Sequence, residues 1–170
     1  MTMVTPERFM RSMGQTPILL DAILAGVDQP RAMAATDPAD GYRGWSVVEV
    51  VCHLRDFDGF FRGRVESMLA EENPRLPAYD HEALARDRDY AHQDLRAAFD
   101  VWVAERRRFL TLLTGLTPAQ WSRTGMHPEA GSMNVHDAAV QAAHHDILHS
   151  EQIVRCLGTS ALVGGLGVGS

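Results

Sequence analysis

Apolar residues recur along most of this chain at three- and four-residue spacing, and the period-two alternation of half-buried strands is hard to find. The clearest stripe is Val47, Val50, Leu54, Phe57, Phe61, Val65 and Met68. Ser46-Val-Val-Glu49 in front of it has capping-box spacing, so a long helix opens there and runs to about Glu72, where Asn73-Pro74 ends it. A second stripe, Leu95, Phe99, Trp102, Phe109 and Leu113, predicts a helix from about Arg86 to Thr114, stopped by Gly115. Thr117-Pro-Ala-Gln120 starts a short helical turn through Trp121. Thr124 to Met133 holds two glycines and a proline and reads as loop. Asn134 then caps a helix to about Leu157, ended by Gly158. Nearer the N-terminus, Thr5-Pro6 and Thr16-Pro17 each place a hydroxyl before a proline suited to a first helical position. This predicts a helix over roughly 6–26, kinked or restarted near Gly14. The polar stretch Asp28 to Gly44 contains Pro30 and Pro38 and reads as loop.

Four long helices around one core follow: an all-α four-helix bundle with a long connection between its first and second helices. Residues 1–157 form one domain on this reading, and the uncharged stretch 158–170, with five glycines, is a flexible tail. A chain of 170 residues buries roughly 70% of its unfolded surface and needs no disulfide to fold. Its two cysteines, Cys52 and Cys156, are far apart, the N-terminal segment lacks the apolar core of a signal peptide, and no apolar run approaches bilayer length. A cytoplasmic protein without a membrane partner is expected.

Charge narrows the chemistry. All 16 basic residues are arginine, which removes Schiff-base and phosphate-loop lysine chemistry, and the formal charge of −6 argues against a nucleic-acid partner. Eight histidines stand out instead. His145 and His149 lie one turn apart, on a face shared with Ala138, Ala142, Gln152 and Cys156, where small neighbours leave room for two imidazoles. His144 projects with Gln141, Glu151 and Arg155 toward water. His53 sits at the edge of the apolar stripe of the second helix, a place that suits either a hydrogen-bonded core residue or a ligand. Three inward histidines fit a tris-imidazole metal site with coordination positions left open.

Two motifs carry a family resemblance. Trp45-Ser-Val-Val-Glu-Val-Val-Cys-His53-Leu is similar to the W-S-x-x-E-x-x-x-H-L opening of the second helix in the DinB-like superfamily. His145-Asp-Ile-Leu-His149-Ser-Glu-Gln152-Ile153 is similar to its H-D-x-x-H-x-x-Q-I signature. The likeness covers about residues 10–157. It implies a four-helix bundle with a divalent metal ion, zinc or nickel, on His53, His145 and His149, and a homodimer. Members of the family include thiol S-transferases using bacillithiol or mycothiol, a thiol-dependent maleylpyruvate isomerase, and candidate metal-dependent hydrolases. No motif here is diagnostic of one subgroup.

The expected protein is therefore a metal-dependent hydrolase or thiol S-transferase acting on a small molecule, with a low-molecular-weight thiol as a possible partner. The rival is a non-catalytic metal- or small-molecule-binding stress-response bundle, in which aromatics such as Phe57 and Phe60 would fill the space above the metal. Three further residues are candidates for catalytic roles. Gln152 fits a hydrogen bond to a metal-bound water, fixing His149, or helix packing. Glu49 could orient His53 or act as a base, although the capping box already accounts for it. Arg106 stands mid-stripe among apolar residues, where a guanidinium needs a carboxylate such as Glu49 or Asp56, an exit to water, or an anionic substrate group. Asp146, by its match to the family signature, suits a role behind the metal ligands or between helices, and a solvated helix position fits it nearly as well. His127, in the loop before the last helix, suits a surface position or a mobile base, and His81-Glu82 lacks the second histidine of a zincin motif.

Overall fold

A computed structural model describes residues 5–37 and 44–158. The elements are α1 (Pro6–Leu24), α2 (Gln29–Ala34), α3 (Val47–Ala70), α4 (His81–Asp87), a 3₁₀ turn at Tyr90–His92, α5 (Leu95–Thr114), α6 (Pro118–Trp121), β1 (Thr124–His127), β2 (Gly131–Asn134) and α7 (Val135–Cys156). The four long helices α1, α3, α5 and α7 make a four-helix bundle. All of the expected glycine-rich tail except Gly158 lies outside the described residues.

The capping chemistry sets the helix starts. Ser46 Oγ accepts from the Glu49 N–H while the Glu49 carboxylate accepts from the Ser46 N–H at 2.7 Å. Asn134 and Asp137 make the same reciprocal pair at the head of α7, with both bonds at 2.8–2.9 Å. The bundle core falls into two layers. One joins Val47–Leu54 of α3 to Leu95–Trp102 of α5, with Leu20 and Leu24 of α1 and Ile153 of α7. The other joins the second half of α3 to Phe109 and Leu113 of α5, with Phe9 and Met13 of α1 and Ala138 and Ala142 of α7. α3 and α5 therefore run in one direction and α1 and α7 in the other. A parallel α3–α5 pair needs a long return, which the segment 71–94 with α4 provides.

Between the two layers lies a buried ionic cluster that touches all four long helices. Arg106 of α5 donates Nε and Nη2 to Asp58 of α3, each at 2.8 Å, and Nη1 and Nη2 to Asp146 of α7 at 2.5 and 2.7 Å. Its Nη1 also donates to the Met13 carbonyl of α1 at 2.8 Å. The last contact explains why α1 is not restarted near Gly14 as the two Thr-Pro pairs suggest. Pro17 lies inside a continuous helix. Its missing N–H leaves the Met13 carbonyl without an intrahelical donor, and Arg106 supplies one.

Three other expectations change. The connection 28–44 holds a short helix, α2, started by Asp28, whose side chain accepts from the Arg31 N–H. The helix expected from Arg86 begins at Leu95, because Asp89 has a left-handed backbone (φ 50°) and Asp94 caps the start by accepting from the Ala97 N–H. The expected loop 124–133 is an antiparallel hairpin in which Gly125 pairs with Met133 and His127 with Gly131. The hairpin is held from outside, since Met126 exchanges backbone bonds with the Pro74 carbonyl (2.8 Å) and the Leu76 N–H (2.9 Å). Arg123, just before it, donates to the Met68 and Glu71 carbonyls at the C-terminus of α3, where a cation is favoured. No helix among the described residues is long and apolar enough to cross a membrane.

Candidate metal centre

α3 and α7 pack side by side, and their contact brings three histidines together. His53 approaches His145 with the two Nε2 atoms 2.8 Å apart, and the ring centroids of the three pairs are 4.3–4.7 Å from one another. One nitrogen from each of His53, His145 and His149 falls within a sphere of mutual distances no greater than 4.8 Å. His53 is buried and the other two are half-buried. Burial, reinforced by the neighbouring imidazoles, pushes the pKa of His53 and His145 far below the ordinary histidine range. Burial also lowers His149, opposed by its bond to Gln152. All three rings are neutral at pH 7, with lone pairs available.

Gln152 fixes the tautomer of one ring. Its Oε1 lies 2.8 Å from His149 Nδ1 and can only accept, so that nitrogen carries the proton and Nε2 keeps the lone pair. His53 has no equivalent support, as its Nδ1 is buried without a hydrogen-bond partner. The donor set suits a divalent cation of imidazole preference, being three neutral nitrogens with one outer hydrogen bond already in place.

The cluster forms the floor of a cavity of about 630 Å³, a volume typical of small-molecule sites. Trp45, Phe57, Phe61 and Tyr79 give it apolar walls, and Arg64, His81, Glu82, His127, Glu129, Gln141 and Gln152 its polar ones. Phe57 stacks on His145 at 5.2 Å and leaves the space open, while Phe60 stacks outward on Tyr79 at 3.6 Å.

Of the residues singled out by sequence, the structure brings Gln152 and the three histidines into one site and places two others elsewhere. Glu49 is occupied by Ser46 in the capping box and does not line the cavity. Arg106 is 2% exposed, pairs with Asp58 and Asp146 rather than with Glu49 or Asp56, and spends all five guanidinium donors inside the bundle. It has none left for an anionic substrate. Asp56 instead receives Arg55, Arg88 and the Tyr90 hydroxyl. His127 lies on β1 facing the cavity, and Arg64, His81 and Tyr79 join it there without having been anticipated. Arg64 had a readable signal, because eleven residues after His53 is three turns plus about 20°, the same helix face.

A family model described as the DinB superfamily matches residues 17–153, most of the chain. The chain belongs to that superfamily. Among curated relatives, YfiT of Bacillus subtilis is 30% identical over 121 residues, which cover 69% of this chain and 68% of YfiT. A protein of Oceanobacillus iheyensis is 33% identical over 92 residues, spanning 54% of this chain and only 53% of that relative. Both are named as candidate metal-dependent hydrolases. The solved structure of YfiT, described as a four-helix bundle of unusual topology, superimposes with a TM-score of 0.78 at 25% identity, over 93% of this chain and 90% of YfiT.

Proposed function

We propose that this DinB-superfamily chain is a hydrolase dependent on one divalent metal ion, zinc or nickel, held by His53, His145 and His149. The observation that carries the reading is the convergence of three neutral imidazoles on the floor of an open cavity. The naming of its relatives as candidate metal-dependent hydrolases favours hydrolysis over thiol transfer. Bound there, a divalent ion would supply Lewis-acid polarisation and a nucleophile at neutral pH, with positions beyond the three ligands left for exchange.

The residues around the site prepare it. Gln152 holds the His149 proton on Nδ1 and so keeps Nε2 free to ligate. Phe57, Phe61 and Trp45 exclude water from one side, so that electrostatic interactions inside act through a lower dielectric. Cys52 takes no part. Its thiol, pushed up to about 11 mainly by burial, faces Gln93 behind the helix. With two buried thiols, Cys52 and Cys156, the chain suits a reducing compartment, and we place it in the cytoplasm.

The test is metal content of the purified chain by plasma mass spectrometry. One divalent ion per chain is expected in the wild type and less than a tenth of that in His149→Ala or His53→Ala. Stoichiometric metal retained in both variants would sink the reading.

A further inference from the structure

Arg64 is 5% exposed and lines the same cavity as the three histidines. Its Nε and Nη2 donate to the Pro77 carbonyl at 3.3 and 2.9 Å, and Nη2 also faces His127 Nε2 at 3.0 Å. Nη1 has no hydrogen-bond partner among the described residues. Nor does any carboxylate among them lie within ion-pair distance of Arg64. The acidic residues of the cavity wall, Glu82 and Glu129, are both exposed at its rim. Glu129 favours the Arg64 charge only from a distance, and a guanidinium so far withdrawn from water with no carboxylate in contact leaves its Nη1 open to an anion. The contrast with Arg106, which has two carboxylates for one cation, is direct.

His127 adds a second imbalance in the same corner. A neutral imidazole accepts at one nitrogen and donates at the other. Here the backbone N–H groups of Glu129 and Ala130 approach Nδ1, each at 3.3 Å, while the guanidinium approaches Nε2. Donors surround both sides of a ring that can satisfy only one. Beyond the Pro77 carbonyl, the corner has more donors than acceptors and no carboxylate in contact with the guanidinium.

Its distance from the histidine floor is set by one aromatic ring. Phe61 lies 5.5 Å from the His145 ring and 5.6 Å from the Arg64 guanidinium carbon, so those two groups are no farther apart than the two distances laid end to end. Phe57, in edge contact with both Phe61 and Tyr79, extends the apolar wall.

We propose that Arg64 and His127 form a carboxylate-binding subsite, and that the molecule acted on is a small organic acid spanning from that corner to the three histidines. Its carboxylate sits on Arg64 and its apolar middle lies against Phe61 and Phe57. The unengaged Nη1 can donate to a carboxylate oxygen with the charge of the guanidinium behind it, and the aromatic wall suits the carbon skeleton attached to that carboxylate. The inference rests on the metal-centre reading for where the reacting end lies, but not for the grip of Arg64 on the acid.

Isothermal titration calorimetry on the full chain stripped of metal tests it, with benzoate as probe and benzamide as its uncharged counterpart. Benzoate should bind saturably and at least tenfold more tightly than benzamide. Arg64→Gln should lose at least tenfold in benzoate affinity, and Arg64→Lys, which keeps the charge, should lose less. Equal binding of the two probes by the wild type would overturn the proposal whatever the variants do. So would unchanged benzoate affinity in Arg64→Gln, or tighter binding of inorganic phosphate than of benzoate. Metal stoichiometry measured on the same preparations separates the two readings. Benzoate held by Arg64 in a chain that takes up no metal sinks the metal centre alone, and metal at full stoichiometry without benzoate binding sinks the carboxylate subsite alone.

Discussion

At the scale of single residues, two inward-turned arginines have contrasting surroundings: Arg106 lies between two carboxylates, and Arg64 faces the cavity with none in contact. Arg106 is over-compensated, because two buried carboxylates share one guanidinium. Burial pushes the Asp58 carboxyl up to about 6 against the pull of Arg106 and with some repulsion from Asp146. Burial also works against the guanidinium charge, yet the two carboxylates outweigh it and hold the Arg106 pKa above its usual value. Arg106→Ala leaves both acids and the Met13 carbonyl without a donor, and breaking a buried pair in this way costs about 3–5 kcal/mol. The loss should depend on pH with a definite sign. Without Arg106 the Asp58 carboxyl rises further above its unfolded value, so the folded variant binds a proton that its unfolded chain does not. Its stability then falls as pH rises through that window. Urea unfolding at pH 6 and pH 8 should show the deficit relative to wild type growing with pH. A deficit that is flat or shrinks would contradict the proposed cluster. The anomaly of Arg106 was legible in its mid-stripe position. Its partners were not, since which inward acid faces it depends on how α3, α5 and α7 are arranged around one another.

Among the elements, legibility follows the source of their stability. α3 carries a capping box followed by a helical stripe, α7 an asparagine cap and a closing glycine, and both form where those signals stand. The hairpin carries no such local signal. Its strands of four residues are too short for an alternation pattern, and Gly125, Pro128 and Gly131 read as loop punctuation. It is stabilised by tertiary bonds to Pro74 and Leu76, far away in sequence. Gly125 shows how close that docking is. A Cβ added there would meet Leu76 Cγ and Cδ1 at 2.9 Å, and Leu76 is only 3% exposed with its backbone tied to Met126. Gly125→Ala should therefore destabilise the fold by about 1–3 kcal/mol, the usual range for overpacking. Because His127 is on the same strand, the hairpin should also loosen over the cavity, readable as faster amide hydrogen exchange at Met126 and His127. A variant as stable as wild type, with unchanged exchange, would show that the hairpin is not clamped in this way.

For the whole molecule, the histidine centre lies to one side of what holds the bundle together. Both core layers and the Arg106 cluster are complete without the three imidazoles, which occupy the α3–α7 seam facing the cavity. Metal binding should therefore stabilise a fold that already exists, unlike the small metallo-domains that unfold when stripped. A ligand that binds only the folded state at a hundred times its Kd contributes about 2.7 kcal/mol. For a domain of this size about 2–4 °C accompanies each kcal/mol, so saturating metal should raise Tm by about 5–10 °C. The chelated chain should keep its helical circular dichroism and a cooperative transition. The increase should scale with the logarithm of metal concentration and be absent in His149→Ala, whose metal-free Tm should lie close to that of the metal-free wild type. Loss of helicity on chelation would mean that the three histidines are part of the scaffold, and an equal increase in His149→Ala would mean that the cation binds elsewhere on an acidic surface.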